Sequence, residues 1–119
     1  MSASSSPKPR PGPLAECSDV YDVLRDIQLR PGVWVRSLSE LETMLWGYGV
    51  ALQVHGITEP DPFSSSRRFF EWLGNRFGWG MSLGWAYAIE KCAKDELPLD
   101  MFFRLAEEYR LEQLSDPQA

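Results

Sequence analysis

The sequence predicts an all-α fold: a compact bundle of about five helices around a central buried helix, behind a disordered N-terminal tail. Three observations carry this. Apolar residues recur at steps of three and four in several separate stretches. Each of those stretches has a start or stop residue at its end. No stretch alternates apolar and polar residues long enough to make a strand.

Residues 30–56, RPGVWVRSLSELETMLWGYGVALQVHG, organise the rest. Pro31-Gly32 is a turn dipeptide. Val33-Trp34-Val35 is a short apolar run, at most a brief extended segment. Ser37 reads as an N-cap and Glu40, three residues on, completes a capping box. Glu42 adds negative charge near the positive end of the helix dipole. Leu38, Leu41, Leu45, Tyr48 and Leu52 form one stripe. Trp46, Val50 and Val54 lie off it, so the second half is apolar nearly all round and is expected to be buried on several sides. Gly47 and Gly49 each cost about 1 kcal/mol against alanine within a helix, which close approach of a neighbour would offset. Gly56 takes the C′ position.

Residues 1–15 are Ser- and Pro-rich and too poor in apolar groups to fold, so they are expected to be a disordered tail. Residues 16–114 form the single helical domain, and 115–119 fray. Ser18 caps a first helix, SDVYDVLRDIQL, with Val20, Leu24 and Ile27 on one face and an end before Pro31. After the two-proline loop at 57–65, a helix runs from Ser65 or Ser66 to Phe77, with Phe69, Phe70, Leu73 and Phe77 inward and Trp72 off that face. Ser82 caps the next helix, where Trp85, Ala88, Ile89 and Cys92 share a side. Pro98 begins the last helix. Leu99, Phe102, Phe103, Ala106 and Tyr109 face inward there, and Glu107, Glu108 and Glu112 face out.

At 119 residues the chain is one domain. No continuous apolar run reaches the ~18 residues of a membrane span, and the N-terminus lacks the apolar core of a signal peptide, so a cytoplasmic location is the default expectation. Cys17 and Cys92 make neither a disulfide framework nor a metal spacing. A net charge of −5 and a pI near 4.8 argue against nucleic acid and permit a basic protein partner.

No catalytic constellation stands out, and no cofactor or metal is expected. His55 is the sole histidine, with no motif supplying a nucleophile and an orienting acid beside it. GNRFGWGMSLGW has no GK[ST] and follows no strand, so it is no phosphate loop. Arg67-Arg68 with Trp72, Arg76 and Trp79 make either a small basic-aromatic patch or a solvated helix edge.

RPGVWV resembles the RPGMYIG segment of gyrase-type ATPases over residues 30–35 only. Arg36 replaces its final glycine and the acidic-glycine ATP motifs are missing, which excludes ATP hydrolysis. A longer pattern spans residues 30 to 109: Arg30-Pro31 with Trp34; Gly47 and Gly49 around Tyr48, then Ala51-Leu52; Phe69, Trp72 and Leu73; Ser82, Gly84, Trp85 and Ile89; Phe102, Phe103 and Leu105. It resembles a group of small bacterial proteins of unassigned function, some similar to immunity or accessory proteins near toxin loci. That resemblance implies a helical domain acting on a protein partner.

The leading expectation is a non-enzymatic protein that binds and regulates a partner protein, in the manner of an immunity protein. Acidic charge would steer it to a basic partner. Its contacts would be Glu90, Asp95, Glu96, Glu107, Glu108 and Glu112, with Trp72 and Trp79, or off-stripe Trp46, as anchors. Alternatively those rings finish the core and the acids only aid solubility. A second reading is a small-ligand or sensory module whose pocket holds Trp34, Trp46, Tyr48, Trp79 and Trp85, with Arg30 or Arg68 for an anion.

Overall fold

The described residues form six α-helices, and five of them bury an apolar stripe in a shared core. The computed structural model describes residues 14–64 and 66–115. After a 3-10 turn at Leu14–Glu16 come α1 (Val20–Leu29), α2 (Pro31–Trp34), α3 (Leu38–Val54), α4 (Arg68–Phe77), α5 (Trp85–Cys92) and α6 (Pro98–Ser115). No strand occurs among the described residues. The tail expected at 1–15 lies outside them up to residue 13, as do 116–119 of the fraying end. No described helix is long and apolar enough to cross a membrane.

The extra helix is α2, where Val33 and Trp34 form a helical turn and only Val35 is extended. Proline at the first position favours this, because its fixed φ suits a helix start and its missing N–H is not needed there. The Ser37 hydroxyl accepts from the Glu40 N–H at 3.2 Å. The Glu40 carboxylate reaches back one residue further than a standard capping box, to the Arg36 N–H at 2.7 Å. At the other end of α3, Gly56 adopts φ +64°. The Ile57 N–H then reaches Leu52 O and the Gly56 N–H reaches Gln53 O, a Schellman ending.

Three starts differ from the sequence reading. Asp19, not Ser18, caps α1, its carboxylate accepting from the Asp22 N–H at 3.1 Å. The short carboxylate arm makes the cap, while Ser18 uses its N–H to bond Asp22 at 2.8 Å. α4 begins at Arg68, because Arg67 sits in the left-handed region at φ 58° and interrupts any earlier start. Gly84 rather than Ser82 precedes α5, with no side chain of its own to cap it.

The core is mainly aliphatic and contains a cluster of aromatic rings. Phe63 from the α3–α4 loop, Phe69 of α4, Trp85 of α5 and Phe102 of α6 meet with ring centroids 4.8–5.7 Å apart. The Trp85 indole N–H donates to Phe63 O at 3.3 Å, so the buried ring leaves no donor unpaired. α3 packs on α5 and α6, α4 and α5 each pack on α6, and α1 packs on α2. Phe77, expected inside, is 39% exposed and stacks on Trp79 at 4.6 Å. Trp72, expected off the face, stacks on Phe69 and meets Tyr109 edge-on. Cys92 is only half-buried.

The two α3 glycines have different causes. A Cβ on Gly49 would overlap Ser64 Oγ and lie 2.8 Å from Asp61 Oδ2 and 2.9 Å from Ser64 Cβ. That glycine lets the α3–α4 loop lie against the helix and insert Phe63. A Cβ on Gly47 would meet nothing within 4 Å. Gly47→Ala should therefore stabilise by about 1 kcal/mol, a gain of helix propensity. Gly49→Ala should lose about 1–3 kcal/mol to overpacking, only partly offset by that gain. Thermal melts should order the chains Gly47→Ala, wild type, Gly49→Ala, from highest to lowest midpoint.

Candidate functional site

From Trp46 onward the two sides of α3 differ in surroundings more than in chemistry. Leu38, Leu41, Leu45 and Gly49 are buried. On the opposite side Trp46 is 48% exposed, Val50 54% and Val54 72%, and Ile57 just beyond the helix is 53% exposed. Steps of four place the first three in one row. Gly47 and Ala51, both exposed, lie beside that row. The expectation that Trp46 to Val54 is buried on several sides is therefore corrected: the helix is enclosed along one side only. No Asp, Glu, Lys or Arg occurs from residue 43 to 58. The result is a contiguous apolar strip of the kind that marks interaction sites.

At the Trp46 end the strip opens into a cavity of about 260 Å³, lined by Glu42, Trp46, Phe63, Ser64, Arg67, Phe70, Met81, Ser82, Gly84 and Trp85. Glu42 explains how α5 begins without a cap of its own. Its carboxylate crosses from α3 to accept from the Ala86 N–H at 3.3 Å and from the Trp85 N–H. Negative charge at a helix N-terminus is favourable. Gly84 is needed there, since a Cβ would lie 2.7 Å from Glu42 Oε2, and its φ is +94°. Burial nevertheless raises the Glu42 pKa, with Glu90 adding to the rise and the two amide bonds opposing it. No cation among the described residues pairs with it. Arg67, on the same cavity wall, places its guanidinium 4.2 Å from the Phe70 ring centroid. Leu83, between Ser82 and Gly84 in sequence, is exposed.

The α3–α4 loop brings two further acids, Glu59 and Asp61, against α3. The Tyr48 hydroxyl donates to Glu59 Oε2 at 2.5 Å. Ser64 Oγ, itself buried, donates to Asp61 Oδ2. Asp61 Oδ1 is buried with no partner. Burial raises the Asp61 pKa, with Glu59 adding to it and bonds from Ser64 and the Phe63 N–H opposing. Burial also raises Tyr48 far above its ordinary range, reinforced by Glu59, Asp19 and Asp61. The charges that raise these two groups are the carboxylates of Glu59, Asp19 and Asp61.

The acids expected at a docking face sit elsewhere and are mostly occupied. Arg76 pairs with Glu112 at 2.8 Å and Glu108 at 3.5 Å. Arg104 pairs with Glu96 at 2.5 Å and Glu108 at 3.1 Å, and Arg110 reaches Glu107 at 4.0 Å. Glu90 and Asp95 have no such partner among the described residues. The Trp72 indole N–H donates to Glu112 at 3.0 Å, and Trp79 is half-buried on Phe77. Of the residues expected to line a ligand pocket, Trp46 and Trp85 share the cavity. Trp34, Tyr48, Trp79 and Arg30 do not line it. Arg68 lines a separate open groove with Trp72, and Arg67 takes the place expected of an arginine at the rings.

Sequence reasoning missed Val50, Val54, Ile57, Glu42, Glu59 and Asp61. The charge-free run 43–58 was the available signal, and it reads equally well as a buried helix. His55 is an exposed α3 C-cap. No group of three or more described His, Cys, Asp or Glu residues could hold a metal ion. Compared with family models, curated proteins and solved structures, the chain matches none.

A carboxylate whose pKa is raised by folding binds its proton more readily in the native state. Its contribution to stability therefore grows as pH falls from neutral through the raised value, and levels off below the ordinary one. Glu42→Gln removes that term. Urea unfolding should show the wild type gaining stability relative to Glu42→Gln as pH falls toward the ordinary carboxylate range. A difference that shrinks instead would mean the carboxylate is net stabilised by its amide partners.

Proposed function

We propose that this is a non-enzymatic protein-binding protein, of immunity or regulatory type, that acts on a partner protein through the exposed side of α3. The observation that supports this is the row Trp46, Val50, Val54, with Ile57 beyond it, uncovered on a helix that is enclosed on its other side. An aromatic at one end, valines along the middle and a cavity beside the aromatic suit a helix-in-groove or anchor-in-pocket contact. The face differs from the α6 acids first suggested by charge. Those acids are tied to arginines of the same chain, and exposed pairs of that kind add little to binding or stability.

A second reading keeps the cavity for a small ligand, favoured by the meeting of Trp46, Phe70 and Trp85 with a half-buried carboxylate. The readings separate on one residue. Val50 lies on the strip but does not line the cavity.

The experiment is a pull-down from the native host with wild type, Val50→Asp and an α6 charge-reversal variant (Glu107→Lys, Glu112→Lys). Val50→Asp should lose the captured partner by at least about tenfold, as a charge buried in an interface centre does. The α6 variant should retain it. Equal recovery by wild type and Val50→Asp would remove the proposal.

A further inference from the structure

The cavity at the Trp46 end of α3 is lined by two opposite charges that do not pair. Glu42 enters the lining from α3, and Arg67 from the residue just before α4. Neither forms an ion pair with the other or with any charge among the described residues. The Glu42 carboxylate uses part of its capacity on the Trp85 and Ala86 N–H groups. A carboxylate accepts about four hydrogen bonds, so capacity remains. The Arg67 guanidinium lies over the Phe70 ring, 4.2 Å from its centroid. Stacking uses the flat face of the group and leaves the N–H donors at its edge open to an anion.

The backbone adds a second observation. Arg67 is the only non-glycine among the described residues with positive φ, at 58°. A β-carbon is disfavoured in that region, where glycine is the usual occupant. The Arg67 N–H donates to Ser64 O at 3.0 Å, and its carbonyl accepts from the Glu71 N–H at 2.9 Å, which holds the conformation. An arginine therefore stands where glycine would suit the fold better, and its side chain lines the cavity. Strain of this kind clusters at ligand clamps.

The remaining walls include three rings, Trp46, Phe70 and Trp85. The volume is about 260 Å³. An engineered cavity of roughly 150 Å³ takes up benzene, and drug-sized pockets begin at roughly 300 Å³. The space therefore suits one small side chain together with its charged end.

We propose that this cavity binds a small zwitterion with an apolar side chain, of the α-amino-acid class. Its carboxylate meets the Arg67 guanidinium, its ammonium meets Glu42, and its side chain lies against Trp46 and Trp85. This goes beyond the protein contact proposed for the exposed row of α3, and it rests on the reading of the cavity as a ligand site. A ligand with one charge would satisfy one group and leave the other desolvated without a partner.

The test is calorimetric titration of the full chain with L-leucine, L-methionine and L-phenylalanine. Each is compared with the amine left by removing its carboxylate and with the acid left by removing its amino group. At least one amino acid should bind at least about tenfold more tightly than both of its truncated forms. Glu42→Gln and Arg67→Gly should each weaken that binding at least about tenfold. Arg67→Gly should melt no lower than the wild type, since relief of the left-handed strain offsets the lost contact with Phe70. Lost binding there then reports the missing guanidinium and not a lost fold. Val50→Asp, outside the cavity, should bind as the wild type does.

Equal affinity for a truncated form, unchanged affinity in Arg67→Gly, or binding of none of the three amino acids overturns the proposal. If a truncated form binds where no amino acid does, and Arg67→Gly or Glu42→Gln weakens it, the cavity stands as a ligand site and the zwitterion is overturned. The exposed α3 row is tested separately, by Val50→Asp against the host partner.

Discussion

Phe69 is the ring on which the structure depends. It contacts Phe63, Trp72, Trp85, Phe102 and Tyr109, with centroids within 5.9 Å in every case. Those five side chains come from the α3–α4 loop and from α4, α5 and α6. The geometry is mostly edge-to-face, the arrangement that aromatic quadrupoles prefer. Phe63 gives the cluster its reach. A loop residue becomes a core residue because Gly49 admits the loop against α3 and Trp85 bonds its carbonyl. Helices that share few direct contacts are thereby held by one shared nucleus of rings.

Fixing the loop in this way has a cost in buried polar groups. Ser64 and Asp61 are drawn in with Phe63, and Asp61 Oδ1 is left without a partner. Glu42 is likewise half-enclosed where it bonds the first amides of α5. Each carboxylate does structural work and leaves negative charge beside α3. On α6 the same residue type behaves differently. There arginines at suitable helical spacing, such as Arg104 four residues before Glu108, neutralise the acids locally. Net charge alone does not distinguish these two populations. Their neighbours do.

The helical architecture was legible because periodicity and caps are local. Leu38, Leu41 and Leu45 mark the buried side of α3, Ser37 and Gly56 mark its ends, and Pro98 opens α6. What failed required knowledge of neighbours distant in sequence. The cap of α5 comes from Glu42, over forty residues earlier, so Ser82 was the natural but wrong choice. Trp46 and Val50 are as apolar as Leu45, and no local pattern states that the bundle stops short of them. Phe77 and Trp72 exchanged their expected roles because Tyr109 and Phe69 receive the indole of Trp72.

The distribution of tryptophans has an optical consequence. Trp85 is enclosed and bonded, while Trp34, Trp72 and Trp79 are half-covered, which leaves Trp46 as the indole most open to water. Exposure of that indole to water should make its emission the reddest component of the native spectrum and the first reached by a collisional quencher. The chain thus carries a built-in fluorophore on α3, whose colour reports whether that side of the helix is wet.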